Sequence, residues 1–412
     1  MSSRPSTPGP GRVLGAALAA AAVTVGLLQA PAASAASVAS TATAAEDRPR
    51  GRQGAAVQQV LEDAVRSGTP GMLASVTSGG PGGNVYTWRG AAGVADLRTG
   101  ERRGHHDRFR IGSVTKSLTA AVVLTLAAEG RLDLDDTVEQ WLPGLIAGHG
   151  HDGSAVTIRQ LLNHTSGISD YSSNREFFDR YIGRDFLKNR FQRHTPESLV
   201  GWAVRAAPDF APGTGWRYSN TNYIVAGLII QKVTGRSYEN EVERRVLRPL
   251  GMRDTSLPRH SVTLPRPSGR GYTKVPFGDP AGAVHDGTAL NTSTGWAAGD
   301  IISTTGDLQR FVRALMSGRL LPPAQQKELT TTVPTTEEGH RYGLGVGWTT
   351  LPCGVGIWGH AGGIHGSRTG VYADGRGGRS LVVNANADWA GSPEAALNAA
   401  FCPPEPRSGP SA

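Results

Sequence analysis

The chain enters its strongest helical pattern at Phe109 to Lys116, which reads FRIGSVTK. Ser113 and Lys116 are three residues apart, so a helix places their side chains on one face, about one turn apart. A serine hydroxyl is a weak nucleophile unless a base lies within hydrogen-bond reach. A lysine can be that base where burial lowers its pKa enough to leave the amine neutral. The stretch therefore predicts a serine nucleophile and its base at the start of a helix over 113–130.

This pairing is informative because lysine is scarce in the chain. A serine three residues before a lysine is expected about once by chance in a sequence of this length. Only five of the 42 basic residues are lysines, and of these only Lys116 has a serine at that position. The motif nevertheless needs support from other segments.

Two further segments carry groups that suit acyl transfer. In Tyr218-Ser219-Asn220 the phenol can relay a proton and the amide can hold a substrate amide. His360-Ala361-Gly362-Gly363 follows a predicted strand, where glycines let a substrate approach the strand edge. A backbone N–H of that segment could point into an oxyanion hole.

Composition excludes several other classes of protein. The formal charge is +8, but the arginines are scattered, which argues against a nucleic-acid partner. An anionic polymer such as a cell wall stays open as a partner beside a simple solvated surface. Two cysteines exclude a cysteine-based zinc cluster, and the short His/Asp groups at 105–107 and 149–152 lack further ligands. We therefore expect no metal and no cofactor.

The two ends of the chain predict export and loose termini. Residues 1–35 have the charged start, apolar stretch and small-x-small end (Ala33-Ser34-Ala35) of a signal peptide, with an uncleaved anchor as the alternative. No second apolar stretch of about 18 residues follows, so we expect a secreted protein without a stable membrane anchor. Residues 36–52 are predicted as a flexible lead-in and 403–412 as a flexible tail. In an exported chain Cys353 and Cys402 can form a disulfide, with two separate thiols as the alternative.

Hydrophobic periodicity divides the region between these ends into two kinds of structure. A helix over 53–67 precedes strands at 72–77 and 85–93, which a turn at 81–83 joins. The middle alternates helical segments with Pro/Gly loops. Strands return at 343–348, 356–358, 366–372 and 380–384, before a helix over 393–401. We predict one catalytic domain over 53–402, with an α/β lobe from 53–136 and 336–402 and a helical lobe over about 137–335.

Taken in this order, the three segments resemble the serine penicillin-recognising enzymes. The resemblance is closest to the family that holds class C β-lactamases, secreted D-Ala-D-Ala carboxypeptidases and related esterases. Residues 161–168 (LLNHTSGI), 210–213 (FAPG) and 249–252 (PLGM) are similar to further segments of that family. The resemblance implies a mixed α/β fold, with an antiparallel sheet flanked by helices and an all-helical lobe.

The resemblance also implies roles for the site residues. Ser113 would attack the substrate carbonyl and form an acyl-enzyme, and Lys116 would take the serine proton. Tyr218 would relay that proton to the leaving amine, and Asn220 would hold the substrate amide. The backbone N–H groups of Ser113 and Gly363 would form the oxyanion hole.

The third motif departs from the family pattern. His360 and Gly362 stand where class C enzymes carry Lys-Thr-Gly, and a histidine there resembles secreted actinomycete carboxypeptidases. Because histidine titrates near neutrality, this position predicts activity that is sensitive to pH near 6–7. The carboxypeptidases have threonines where this chain has Ala361 and Gly363, and those hydroxyls help to hold the substrate carboxylate. Arg368, on the following strand, is a candidate substitute.

The expected function is that of a secreted, monomeric serine hydrolase. The resemblance implies a D-alanyl-D-alanine carboxypeptidase that acts on peptidoglycan stem peptides and binds penicillin and other β-lactams. A class C-like β-lactamase, or a carboxylesterase or D-amino-acid amidase with the same machinery, stays open. A binding module with a dead site is a further alternative, against which the intact Ser113, Lys116, Tyr218 and Asn220 argue.

Overall fold

The computed structural model describes residues 41–79, 85–277, 279 and 281–403. The predicted signal peptide 1–35, residues 36–40 of the lead-in, the turn at 81–83 and residues 404–412 of the tail lie outside the described residues. The chain has two compact units, Met1–Glu46 and Asp47–Ala412. In the first unit, the described residues 41–46 are helical. Among the described residues we find no helix with the length and apolar character needed to cross a membrane.

The second unit has long strands near its two ends and short strands between them. They are β1 (Gly71–Gly79), β2 (Val85–Gly93), β3 (Phe109–Arg110), β4 (Ala147–Gly148), β5 (His151–Asp152), β6 (Tyr272–Lys274), β7 (Val284–Asp286), β8 (Ile302–Ser303), β9 (Val333–Pro334), β10 (His340–Tyr342), β11 (Gly347–Thr350), β12 (Gly356–Ile364), β13 (Ser367–Asp374) and β14 (Arg379–Ala385). Eight of them form one sheet in the order β2-β1-β14-β13-β12-β11-β10-β9. Each neighbouring pair is antiparallel, as predicted.

The α-helices occupy mainly the middle of the chain. They are α1 (Thr41–Arg66), α2 (Thr115–Ala128), α3 (Val138–Trp141), α4 (Ile158–Leu162), α5 (Arg175–Tyr181), α6 (Phe186–Asn189), α7 (Pro196–Ala203), α8 (Asn220–Thr234), α9 (Tyr238–Val242), α10 (Thr305–Met316), α11 (Pro323–Thr330) and α12 (Leu397–Phe401). A 3-10 turn, Gly112–Val114, leads directly into α2. The predicted mixed α/β fold with flanking helices is therefore confirmed.

Alternation along β1 places a separate core on each face of the sheet. Leu73 points into the larger core, which surrounds α2 and α8. Its neighbours Met72 and Ala74 point to the opposite face, where they pack with Leu61 of α1 and Phe401 of α12. Because successive strand residues face opposite sides, a strand between two cores needs consecutive apolar residues, as β1 has from Met72 to Ala74. Each fully buried large side chain of this kind contributes about 1.5–3 kcal/mol to the free energy of unfolding.

The strand predicted at 343–348 is wrong over its first four residues. Residues 343–346 form the turn between β10 and β11, in which the Gly343 N–H donates to the Val346 carbonyl at 2.8 Å. Gly345 has a φ of +81°, which few other residues adopt readily. Its carbonyl accepts a hydrogen bond from Ser117 Oγ on α2 at 2.6 Å. The glycines of this segment thus serve a turn that packs against α2.

Two elements are longer in the structure than in the prediction. Helix α1 begins at Thr41, within the segment predicted as a lead-in, and ends at Arg66. Strand β12 continues to Ile364 and therefore contains the motif that was predicted to follow the strand. Cys353, between β11 and β12, is bonded to Cys402 after α12.

Candidate active site

Two buried helices and one strand bring the predicted residues to one cleft. Ser113 lies in the 3-10 turn and Lys116 in the first turn of α2. Asn220 is the first residue of α8, whose opposite end is closed by Gly235 in a left-handed conformation. His360 lies on β12. The two helices are apolar almost all round, so the core fixes where their polar first residues point.

Lys116 is fully buried and contacts three oxygen atoms. Its Nζ lies 3.0 Å from Ser113 Oγ, 2.8 Å from Asn220 Oδ1 and 2.8 Å from the Ala298 carbonyl oxygen. Burial lowers the pKa of Lys116 to about 7. The amide and carbonyl oxygens can only accept hydrogen bonds, so a neutral Lys116 donates its two N–H bonds to them. Its lone pair then faces the hydroxyl of Ser113, as a general base requires.

Asp170 belongs to the same hydrogen-bond chain, although sequence reasoning missed it. Asn220 Nδ2 donates to Asp170 Oδ2 at 2.9 Å, and the Ser172 N–H donates to Asp170 Oδ1 at 2.9 Å. Burial raises the pKa of Asp170, and the carboxylate in turn raises the pKa of Lys116. Asp170 fixes which face of the Asn220 amide meets the lysine. The nearest sequence signal is its place two residues after the 161–168 segment.

Tyr218 stands beside the serine and the lysine. The centre of its ring lies 4.9 Å from Lys116 Nζ. Burial raises the pKa of Tyr218, and a hydrogen bond with Ser113 opposes that rise. The phenol therefore keeps its proton at neutral pH and is a donor. The ring centre of His164 lies 4.3 Å away, and His164 Nδ1 accepts the backbone N–H of Ser219 at 3.2 Å, which holds this segment in place.

His360 does not behave as its sequence position predicts. Its Nε2 lies 2.8 Å from the Tyr342 hydroxyl, and its Nδ1 contacts the carbonyl of Ala361. Burial, followed by the positive charge of Lys116, lowers the pKa of His360 to about 3. The expected sensitivity of His360 to pH near 6–7 is therefore wrong, because the ring stays neutral throughout that range.

Glycines let β12 pass directly against the nucleophile turn. A Cβ atom on Gly362 would lie 2.1 Å from the Ile111 carbonyl oxygen and 2.8 Å from Ser113 N. Gly112, with a φ of +52°, meets Gly363 in the same way, because its Cβ would lie 2.8 Å from Gly363 N. The main-chain amides of Ser113 and Gly363 therefore lie near each other. Their role as an oxyanion hole stays a prediction.

A cavity of about 530 Å³ lies on one side of Ser113, and we name it the strand-side cavity. Arg368, opposite Gly363 in the β12–β13 pair, lines it together with Glu337 and Glu394. Within the described part of the chain, the Arg368 guanidinium has no hydrogen-bond partner. A cation and two carboxylates therefore border the space beside the nucleophile.

A second cavity, of about 670 Å³, lies on the other side of Ser113. Tyr181, Phe186, Phe277 and Leu290 are among its lining residues, and we name it the aromatic cavity. The strand-side cavity also has aromatic residues in its lining, among them Tyr342, Trp348 and Tyr372. The two chambers on either side of Ser113 differ in their acidic groups, because Glu337 and Glu394 line the strand-side cavity and no described Asp or Glu lines the aromatic one.

The structure brings all the predicted active-site residues around this cleft, apart from the two cysteines of the disulfide. Among the described residues, no three His, Cys, Asp or Glu side chains come together as a metal site. The residues at the cleft are Ser113, Lys116, Tyr218, Asn220, His360, Gly362, Gly363 and Arg368.

The chain is similar to a protein family and to several solved structures. The sequence profile described as Beta-lactamase matches residues 55–400. A D-stereospecific amidohydrolase from Streptomyces sp. superposes with a TM-score of 0.79 at 47% identity, covering 85% of this chain and 98% of that one. A D-amino acid amidase from Ochrobactrum anthropi SV3 gives a TM-score of 0.70 at 28% identity, covering 81% and 92%.

Curated relatives match over shorter stretches. Penicillin-binding protein 4* of Bacillus subtilis (strain 168) is 28% identical over 281 residues, which are 65% of this chain and 57% of the relative. Esterase EstB of Burkholderia gladioli is 38% identical over 172 residues, which are 40% and 43%. This chain therefore spans about half the length of these two relatives. The relatives and structures together include penicillin-binding proteins, esterases and amidases.

Proposed function

This chain belongs to the beta-lactamase family, and from that membership we propose that it is a serine hydrolase that cleaves D-amino-acid amides and esters. One observation carries the proposal: Nζ of the buried Lys116, whose pKa burial lowers to about 7, lies 3.0 Å from Ser113 Oγ. A base of that pKa is half neutral at pH 7 and can accept a serine proton there.

The proposed reaction proceeds through an ester on Ser113. Its Oγ attacks the substrate carbonyl while its proton moves to Lys116, and the carbonyl oxygen becomes an oxyanion beside the Ser113 and Gly363 amides. Tyr218 then gives its proton to the leaving amine or alcohol and takes the proton held by Lys116 in its place, while the C–N or C–O bond breaks. In the second half, water attacks the ester and gives a proton to the neutral Lys116. That proton returns to Ser113 Oγ as the ester bond breaks and the D-amino acid leaves.

The residues at 361 and 363 favour an amide or ester over a peptide with a terminal carboxylate. Hydroxyl groups at these positions would hold such a carboxylate, and Ala361 and Gly363 have none. A neutral leaving group needs no such anchor. The 47% identity to a D-stereospecific amidohydrolase over 98% of its length supports this choice.

The aromatic cavity gives the proposed substrate its side-chain preference. Tyr181, Phe186 and Phe277 offer apolar surface beside Ser113. Burying an apolar side chain there is worth about 25 cal/mol per Å² of surface removed from water. We therefore propose D-amino-acid derivatives with aromatic or large aliphatic side chains.

A D-alanyl-D-alanine carboxypeptidase is the second candidate. Arg368 lines the strand-side cavity and its guanidinium can pair with a carboxylate of the leaving residue. Penicillin-binding relatives also support acylation of Ser113 by a β-lactam, which places a strained amide carbonyl at the same serine.

A substrate panel tests the proposal. The compounds are D-phenylalanine amide, its L enantiomer, a D-phenylalanine ester, an acyl-D-Ala-D-Ala peptide and benzylpenicillin. We expect the D-amide and the D-ester to be cleaved with kcat/KM values at least tenfold above those for the L-amide and the peptide. Cleavage of the peptide alone would establish the carboxypeptidase instead, and rapid benzylpenicillin turnover without a lasting adduct would establish a β-lactamase.

The intact mass of the protein after incubation with benzylpenicillin identifies the nucleophile. We expect one adduct on the wild type and on Ser198→Ala, an exposed serine on α7, and none on Ser113→Ala. An adduct that persists on Ser113→Ala would refute the assignment of Ser113.

We also propose that the enzyme works outside the cell. The charged start, apolar stretch and small residues of 1–35 support export, as does the disulfide between Cys353 and Cys402. The N-terminal sequence of protein recovered from the culture medium tests this. A start near Ala36 is expected, and a chain retained whole inside the cell would contradict it.

A further inference from the structure

A third cavity shares no lining residue with the two beside Ser113. It has a volume of about 550 Å³ and lies between β1, β2 and α10. Pro249 and Leu250 close it from the chain that follows the π-helical turn Glu243–Leu247. We name it the basic cavity because of the residues along its edge.

Hydroxyl and amide groups line its floor. Thr77 and Thr87 face each other across β1 and β2 with their Oγ1 atoms 3.3 Å apart. Gln309 of α10 donates to the Ser75 carbonyl at 2.6 Å. Ser75 Oγ is completely buried and has no hydrogen-bond partner among the described residues. That atom is closed to solvent, so a ligand in the cavity would meet the exposed Thr87 instead.

Four arginines surround this floor: Arg89, Arg310, Arg313 and Arg319. Within the part of the chain that the structure describes, no acidic residue lines the cavity. Arg310 pairs with Asp307, which lies outside the lining, at 2.5 Å. The cluster therefore keeps an excess of positive charge.

Arg313 and Arg319 have neutral acceptors for their Nε atoms. Arg313 Nε donates to the Gly377 carbonyl at 3.3 Å, and Arg319 Nε donates to Ser317 Oγ at 3.0 Å. Burial and then the positive charge of Arg319 lower the pKa of Arg313, while Asp374 opposes that effect. Both carboxylate oxygens of Asp374 already accept backbone N–H groups of the following turn. The two guanidinium groups thus repel each other with little compensation.

We propose that the basic cavity binds a phosphate-bearing ligand. A guanidinium presents paired N–H donors that match two oxygens of a phosphate, and several arginines favour an anion of more than one charge. A tetrahedral group with three or four acceptor oxygens can also take a hydrogen bond from the hydroxyl of Thr87. The cavity is larger than one phosphate group, so the rest of the ligand has room in it.

The same chemistry could come from a small phosphate ester or from one unit of an anionic polymer. Both place a phosphate among the arginines, and they differ in what continues beyond it. The mostly exposed Arg89 and Arg310 lie where a longer chain would leave the cavity. Pyrophosphate and long-chain polyphosphate are suitable probes of the two cases.

Isothermal titration of the whole protein with pyrophosphate tests the site, at constant ionic strength with chloride as the balancing anion. We expect one bound pyrophosphate per chain, and binding at least tenfold weaker for the double variant Arg313→Gln/Arg319→Gln. The matched control is Arg98→Gln/Arg236→Gln, which removes the same two charges at exposed positions elsewhere. Thr87→Val should weaken binding severalfold without changing charge.

These outcomes distinguish a specific binding site from nonspecific attraction of anions to positive charge. Absence of saturable binding, or equal weakening in the control variant, would overturn the proposal. Unchanged binding in the double variant would do so as well. Folding of each variant is checked by its melting temperature and by its hydrolysis of the best substrate from the panel. Polyphosphate that binds no tighter than pyrophosphate indicates a small ligand, and polyphosphate that binds at least tenfold tighter indicates a polymer.

Discussion

Lys116 and His360 are two buried bases in one cleft, and their surroundings give them opposite properties. Burial lowers the pKa of both, to about 7 for Lys116 and about 3 for His360. Asp170 lies near enough to raise the pKa of the lysine, whereas the nearest charge to the histidine is the lysine itself. The start of α2 therefore holds a group that titrates at neutral pH, and β12 holds one that stays neutral.

This difference shows that burial alone does not make a catalytic base. A buried base also needs a neighbouring charge that keeps its pKa near the working pH, and a free lone pair aimed at the proton. Lys116 has both. His360 has a tyrosine hydroxyl on one nitrogen and a carbonyl on the other, so we assign it to holding β12 in place.

Replacing Lys116 should have the largest effect, and it tests whether this lysine is the base. Lys116→Met keeps the length of the side chain and removes its base, so kcat for the best substrate of the panel should fall about 10⁴-fold. Lys327→Met, on the exposed side of α11, is the matched control and should retain wild-type kcat. A Lys116→Met variant whose kcat lies within tenfold of the wild-type value would show that another group is the base.

The pH profile separates the two bases without any mutation. Lys116 acts only when neutral, and its neutral fraction falls about tenfold for each pH unit below its pKa. With a pKa of about 7, kcat/KM should rise with pH through neutrality, reach a plateau near pH 8 and be about 100-fold lower at pH 5. Histidine titration should add no further step between pH 5 and 8, and a step that disappears in His360→Gln would contradict the assignment.

Asp170→Asn should shift the pH profile of kcat/KM. Its carboxylate raises the pKa of Lys116, so loss of the charge should shift the rising limb to lower pH. The variant should also lose severalfold in kcat at the plateau, because an amide can present the wrong group to Asn220. Asp152→Asn, on an exposed short strand, serves as the control. A lower plateau of kcat with no shift of the rising limb would show that Asp170 has only a structural role.

The smallest effect is expected at the hydroxyl of Tyr342. Tyr342→Phe removes the partner of His360 Nε2 and should lower the free energy of unfolding by about 1–2 kcal/mol. Because His360 is assigned to support and not to proton transfer, kcat should change less than fivefold. Chemical denaturation and steady-state kinetics measure the two quantities, and a 100-fold loss of kcat would place His360 in the reaction.

The sequence predicts the nucleophile end of the site well because its geometry is local. Ser113 and Lys116 share one helix turn, and their spacing alone places them together. Short apolar runs predict strands at both ends of the chain, and the family resemblance adds that their sheet is antiparallel. Family resemblance adds Tyr218, Asn220 and β12 to that picture.

The rest depends on contacts that no local pattern encodes. The Ala298 carbonyl reaches Lys116 across 182 positions of sequence, and any residue type could supply that oxygen. Asp170 meets Asn220 only because α8 packs where it does. The pKa of His360 follows from three-dimensional burial, and the glycines at 343 and 345 suit a strand and a turn equally in a sequence.

Strand β12 passes close to the nucleophile turn. Some positions of the cleft therefore accept a larger side chain, and others have no space for one. Any side chain at 112 or 362 would strike main-chain atoms, so those two sites are fixed by space itself. At Gly363 an added Cβ meets only Phe277, at an ordinary 3.6 Å, and Ala361 is exposed. Positions 361 and 363 can therefore be varied together to test the proposed leaving-group preference, with Ser113, Lys116 and Tyr218 left unchanged.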